Sequence, residues 1–234
     1  MPIFRQGDFL LSHDLAPNTC LGIESDKLAV CIAYAKTTRV KGLFGMSTFG
    51  FRQTNLDFLY DLPWLENVWL PDVELHNLDG LYALSELRYL GLPPKRPGVD
   101  FSHFPHLESL IFQPRPKDSN LETLKSLSLL HVWHFRPKNK SFSILKLPES
   151  LSELHLNWAS PRTLGDLGGL PDLRRLEIHR CRNLEELGDL GKKFPLLEHL
   201  VIDTCGKVSV TEAQRIIQRL PYLKHAFIQG KKLV

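Results

Sequence analysis

An apolar pattern, L-x-x-L-x-x-L-x-L, recurs from about residue 56 to the C-terminus, and it restricts the possible folds more than any other property of the chain. Its copies run Leu62–Leu70, Leu84–Leu92, Phe104–Phe112, Leu127–Phe135, Leu147–Leu156, Leu170–Ile178, Phe194–Ile202 and Leu220–Ile228. The fourth is looser, and the fifth enters one residue early. Taking the central apolar residue of each copy as a marker gives positions 68, 90, 110, 133, 154, 176, 200 and 226, at spacings of 22, 20, 23, 21, 22, 24 and 26. The x-L-x-L-x tail of each copy reads as a short strand whose alternate side chains point inward. One such unit cannot bury its own apolar edge, so the copies must stack and share a core.

Over residues 56–234 the chain resembles the leucine-rich repeat family. The resemblance implies an α/β fold, a curved horseshoe-like solenoid with a parallel sheet on the concave side and a loop-rich convex side. Leu176–Cys181 and Leu200–Cys205 place a cysteine where the family has Asn or Cys, which implies structural thiols. Earlier copies carry Val73, Lys95, Arg115, Lys138 and Ala159 there instead. Segments such as Pro93–Gly98, Gln113–Pro116 and Arg136–Lys140 point to loops on the outer side. In the last repeat, Thr211 and Gln214 form a capping-box pattern ahead of Ala213, Ile216, Ile217 and Leu220 at helical spacing, which predicts a helix and strand closing the array. Residues 1–55 lack the repeat. A strand-like run, Leu28–Ala35, and an apolar stretch, Leu43–Phe51, identify them as an amino-terminal cap.

Several function classes are disfavoured. A net charge of +3, from 29 basic and 26 acidic residues, falls short of the concentrated excess that phosphate contacts require, so no nucleic-acid partner is expected. Arg5 and Asp8 interrupt any secretory h-region, and no apolar run reaches membrane-spanning length, so the expectation is a cytoplasmic protein without membrane contact. Cysteines at 20, 31, 181 and 205 are too sparse for a disulfide scaffold and form no C-x-x-C pair. Gly188–Lys193 only superficially resembles a phosphate loop, and no G-x-S-x-G or H-E-x-x-H occurs. His103 and His106 bracket Pro105 and read as surface residues. No enzyme, cofactor or metal is therefore expected.

Residues flanking the two inward side chains of each strand point to the opposite face. In the expected register His134, Arg136, His155, Asn157, Arg175, Glu177 and His179 share one polar patch, because neighbouring strands lie ~4.8 Å apart. Trp158, next to Asn157, is expected on the same binding face, and Trp69, Tyr89 and Ile111 form an apolar end beside it. Aromatic and Arg side chains are frequent interface anchors. The expected partner is another protein, met by a monomer. The segment Leu147-Pro148-Glu149-Ser150-Leu151 is similar to bacterial L-P-x-x-L repeats. By analogy with toxin-neutralising immunity proteins and ribonuclease inhibitors, the expected role is to bind and inhibit a toxin or enzyme. An adaptor recruiting substrates, and an enzyme using the His-rich face, are the alternatives.

Overall fold

A computed structural model describes residues 3–234; Met1 and Pro2, which open the expected cap, lie outside it. The chain forms two compact units, one extending to Asn120 and the other running from Leu121 to Val234. Both are stacks in which short, mostly parallel strands alternate with 3-10 turns and irregular segments.

The alternation follows from two apolar periods placed end to end. Leu78, Leu81, Leu84, Leu87 and Leu90 are all buried and recur every third residue. That spacing matches the three residues per turn of a 3-10 helix, whose i and i+3 side chains eclipse along one side. The backbone obeys it, with Leu81 N–H donating to Leu78 O at 2.8 Å, Leu84 to Leu81 at 3.2 Å and Leu87 to Leu84 at 3.3 Å. After Leu90 the apolar period becomes two, because Leu92 is the next buried leucine, and the chain extends into a strand. The same change occurs at Leu164, Leu167, Leu170, Leu173, Leu176 and Ile178. Each buried leucine contributes about 1.5–3 kcal/mol.

The first unit contains strands β1 (Ile3–Gln6), β2 (Phe9–Ser12), β3 (Cys20–Gly22), β4 (Gly42–Phe44), β5 (Asn67–Trp69), β6 (Tyr89–Gly91) and β7 (Ser109–Phe112), and helix α1 (Leu28–Thr38). β1, β2 and β3 are antiparallel neighbours, and from β3 to β7 every pairing is parallel. The parallel ladder thus begins at Cys20, inside the segment expected as a cap. In its register Leu21 sits opposite Leu43, and Leu43 opposite Val68.

The strand expected over Leu28–Ala35 is helix α1. Burial there falls on Cys31 and Ala35, four residues apart on one helical face, and not on alternate residues. The run is apolar throughout and so carries no period of its own. Ala29, Ala33 and Ala35 are strong helix formers, and the helix continues past the run to Thr38. Of the stretch Leu43–Phe51, Leu43 and Phe44 belong to β4 and Ser47–Phe49 form a 3-10 turn.

The second unit contains β8 (Leu129–Trp133), β9 (Glu153–Asn157), β10 (Arg175–His179), α2 (Leu190–Lys193), β11 (His199–Asp203), α3 (Val210–Ile217), β12 (His225–Ile228) and β13 (Lys231–Lys232). β8 to β12 are parallel, and β13 turns back antiparallel on β12. α3 is capped two residues earlier than expected. Ser209 Oγ accepts from the Glu212 N–H at 3.3 Å, so Ser209 and Glu212 occupy the capping positions assigned to Thr211 and Gln214. Cys181 and Cys205 are buried, as expected of structural thiols. The Cys181 N–H donates to Cys205 Sγ at 3.3 Å, and the Cys181 thiol lies 3.6 Å from Leu156 O. They thereby satisfy backbone groups between successive turns.

Candidate functional site

The ladder of the second unit fixes which side chains leave its open face. Glu153, His155 and Asn157 on β9 stand opposite Arg175, Glu177 and His179 on β10, which stand opposite His199, Val201 and Asp203 on β11. These agree with the expected columns. On β8 the register differs: Leu129, His131 and Trp133 stand opposite Glu153, His155 and Asn157. His134 and Arg136 therefore do not occupy the sheet positions expected of them. The cause is an overlapping phase of leucines. Leu124, Leu127, Leu130 and Val132 are the buried set, whereas a frame starting at Leu127 would have required Trp133 inside. Trp133 is instead half-buried on the open face.

The corrected register assembles an ionic cluster across β8, β9 and β10. The His131 and His155 rings stack with centroids 4.0 Å apart. His155 Nε2 lies 2.6 Å from Glu153 Oε1, and its Nδ1 lies 3.4 Å from Glu177 Oε2. Arg175 donates to Glu177 Oε1 at 3.0 Å, and its Nε lies 3.7 Å from Glu153 Oε1. His179 Nε2 completes the set at 3.2 Å from Glu177 Oε2. Burial pushes the His131 imidazole down to about 4, aided by the neighbouring His155, so it is neutral at physiological pH. Desolvation would raise the Glu177 carboxyl, but hydrogen bonds from His179 and Arg175 outweigh it and hold the group below its ordinary value.

A second group lies at the end of these strands. The residue after each of β8, β9, β10, β11 and β12 adopts a left-handed conformation, namely His134, Trp158, Arg180, Thr204 and Gln229, with φ between 50° and 57°. Such a backbone favours Gly or Asn, and five other residue types hold it in register here. The ladder carries the bend along, with the N–H of His134 donating to Asn157 O, that of Trp158 to His179 O and that of Arg180 to Asp203 O. Side chains at equivalent positions therefore stack along the strand ends. His134 lies on Trp158 at 5.1 Å, Trp133 meets Trp158 at 5.2 Å, and the Arg180 guanidinium lies 4.8 Å above the Trp158 ring. Desolvation and the charge of Arg136 lower the His134 imidazole. Arg136 itself is exposed beyond the strand.

Of the expected site residues in this unit, His155, Arg175, Glu177 and His179 join the ionic cluster, while His134 and Trp158 join the aromatic edge. Asn157 is buried between the two groups in sequence. His131, Glu153, Trp133 and Arg180 were missed. The first and third were hidden by the leucine phase. Arg180 had a visible signal, since it follows its strand as Trp158 follows β9.

Trp69 and Tyr89 belong to the first unit and form their own pair, with ring centroids 6.0 Å apart. Gly91 makes this possible, because a Cβ there would collide with the Trp69 ring that lies across it. Tyr89 is enclosed enough for burial, with a contribution from Cys20, to push its phenol up to about 12.

No family model matches the chain, and no curated protein is significantly similar to it. Among solved structures it is similar to an internalin from Listeria monocytogenes, with 15% identity and a TM-score of 0.39 over 94% of this chain and 83% of that one. No helix among the described residues is long and apolar enough to cross a membrane.

Proposed function

We propose that the chain is a protein-binding module, and specifically an immunity-type inhibitor that neutralises a toxin or enzyme by occupying its surface. The observation that carries this reading is the edge formed by Trp133, His134, Trp158 and Arg180 beside the ionic cluster of the second unit. Large aromatic and Arg side chains concentrate binding energy, and side chains already held in place lose little entropy when a partner docks. Here the strand register and mutual stacking hold them. Glu153, Glu177 and Arg175 supply charge of both signs, which would set the orientation of a partner.

A cytoplasmic setting suits the four cysteines, all free and buried. The chain would act without catalysis of its own, as a monomer until the partner binds.

The test is to isolate the partner on immobilised full-length chain and assay that partner's own activity as the chain is added back. Inhibition predicts loss of activity that ends at one equivalent. A partner that stays bound and fully active would identify a scaffold instead.

A further inference from the structure

We propose that His131, Glu153 and His155 form a binding site for a divalent transition metal of the Zn²⁺ class on the open sheet face of the second unit. One ligand atom from each of the three residues can be chosen so that all lie within 4.8 Å of one another. Two imidazoles and a carboxylate are a donor set suited to Zn²⁺ and its neighbours in the first transition row. Three protein ligands leave a fourth tetrahedral position for water. Small adjustments of side chains that are half-buried, not locked in a core, would bring the three donors around one ion.

The surroundings of His155 give a second and independent reason. Its Nε2 faces Glu153 at 2.6 Å, and its Nδ1 faces Glu177 at 3.4 Å on the next strand. With a metal on Nε2, the proton of a neutral His155 would sit on Nδ1, the ring atom that faces Glu177, and the Nε2 lone pair would be directed to the side where Glu153 and His131 stand. A carboxylate behind a histidine is the usual arrangement for fixing a metal-binding tautomer. Glu177 is in turn held by Arg175 at 3.0 Å and His179 at 3.2 Å, so the supporting layer is itself anchored. Arg175 opposes the ion, with its Nε 3.7 Å from Glu153, and would swing toward Glu177 as the metal takes up the carboxylate.

The site was invisible in the sequence because its donors come from two strands whose paired residues lie 24 apart in the chain, and the expected register put His134 in the place of His131. It goes beyond the proposed inhibitory role, and either can fail without the other.

The experiment uses the full chain without a histidine tag, stripped with a chelator and dialysed. Titration with Zn²⁺ by calorimetry and with Co²⁺ by its visible absorption should each saturate at one ion per chain, the Co²⁺ bands showing the intensity of a four-coordinate site. Glu153→Gln, which keeps shape, and His131→Gln should each weaken binding by roughly tenfold or more. His199→Gln, on a histidine that faces His225 without a carboxylate between them, should bind as the parent does. Chelated samples of every variant are melted first, and the same Zn²⁺ concentration should raise the parent's melting temperature more than that of Glu153→Gln. Absence of saturable binding, or equal affinity in the parent and Glu153→Gln, would overturn the site.

Discussion

Arg96 clasps Asp118 through two parallel hydrogen bonds of 2.7 and 2.9 Å, with its own side chain wholly removed from solvent. The guanidinium also donates to Pro97 O and Gln113 O, and Asp118 Oδ1 accepts from the Val99 N–H. The pair thus replaces regular secondary structure in tying together the proline-rich turns of the first unit. Removing one partner of a buried, hydrogen-bonded ion pair leaves an uncompensated charge. Asp118→Ala is expected to cost about 3–5 kcal/mol, read as a lower urea midpoint with an unchanged slope. A cost no larger than that of an exposed pair such as Lys36–Asp61 would show that the clasp is dispensable.

Tyr89 gives a prediction in pH. Its folded phenol ionises near 12, against about 10 for an unfolded tyrosine. The folded form therefore holds the proton more tightly. The resulting stability is fully present below pH ~10 and is lost as pH rises through ~12. Alkaline titration followed by tyrosinate absorbance should contain a late phase near 12, and Tyr89→Phe should remove that phase alone. A late phase surviving the substitution would reject the assignment.

Thr204 holds a left-handed backbone with φ 56°, a conformation unfavourable for a β-branched side chain. Its hydroxyl makes only an exposed hydrogen bond to Asp203, at 3.1 Å. Thr204→Asn keeps a polar side chain while relieving the backbone, and should stabilise the chain by about 0.5–1 kcal/mol. A differential melting comparison would reveal it, and a lower melting temperature would mean that the Thr204 side chain contributes more than its contacts suggest.

The fold was legible because burial in this architecture follows the sequence periodically. Leu176 and Ile178, or Leu200 and Ile202, can face only inward in a two-residue alternation, and the structure puts each at no exposure. Legibility failed where the apolar signal lost its phase. Between Leu124 and Leu130 leucines occur at 124, 127, 129 and 130, so two frames fit, and only the packing of Val132 over Trp133 decides between them. In α1 the run from Leu28 to Ala35 is apolar on every side, and helix formation is settled by alanine content and by the burial of Cys31 and Ala35 on one face. The left-handed ladder was equally silent. Only the hydrogen bonds passing from strand to strand force His134, Trp158 and Arg180 into a conformation their residue types do not advertise.

That ladder supplies the decisive variant for the binding reading. Trp158 and Arg180 project from strand ends, and Arg180 is exposed, so neither holds the leucine core together. Trp158→Asn removes the ring while leaving a residue that tolerates φ near 53°, and Arg180→Glu reverses the charge stacked upon it. The double variant is expected to melt close to the parent yet bind its partner more weakly by about 2 kcal/mol or more, as loss of central anchors does. Melting and affinity must be measured on the same preparation, since a global loss of structure would weaken binding for an unrelated reason. Full affinity in a folded double variant would dismiss the aromatic edge and direct attention to the Trp69–Tyr89 pair of the first unit, where Trp69→Ala is the corresponding probe.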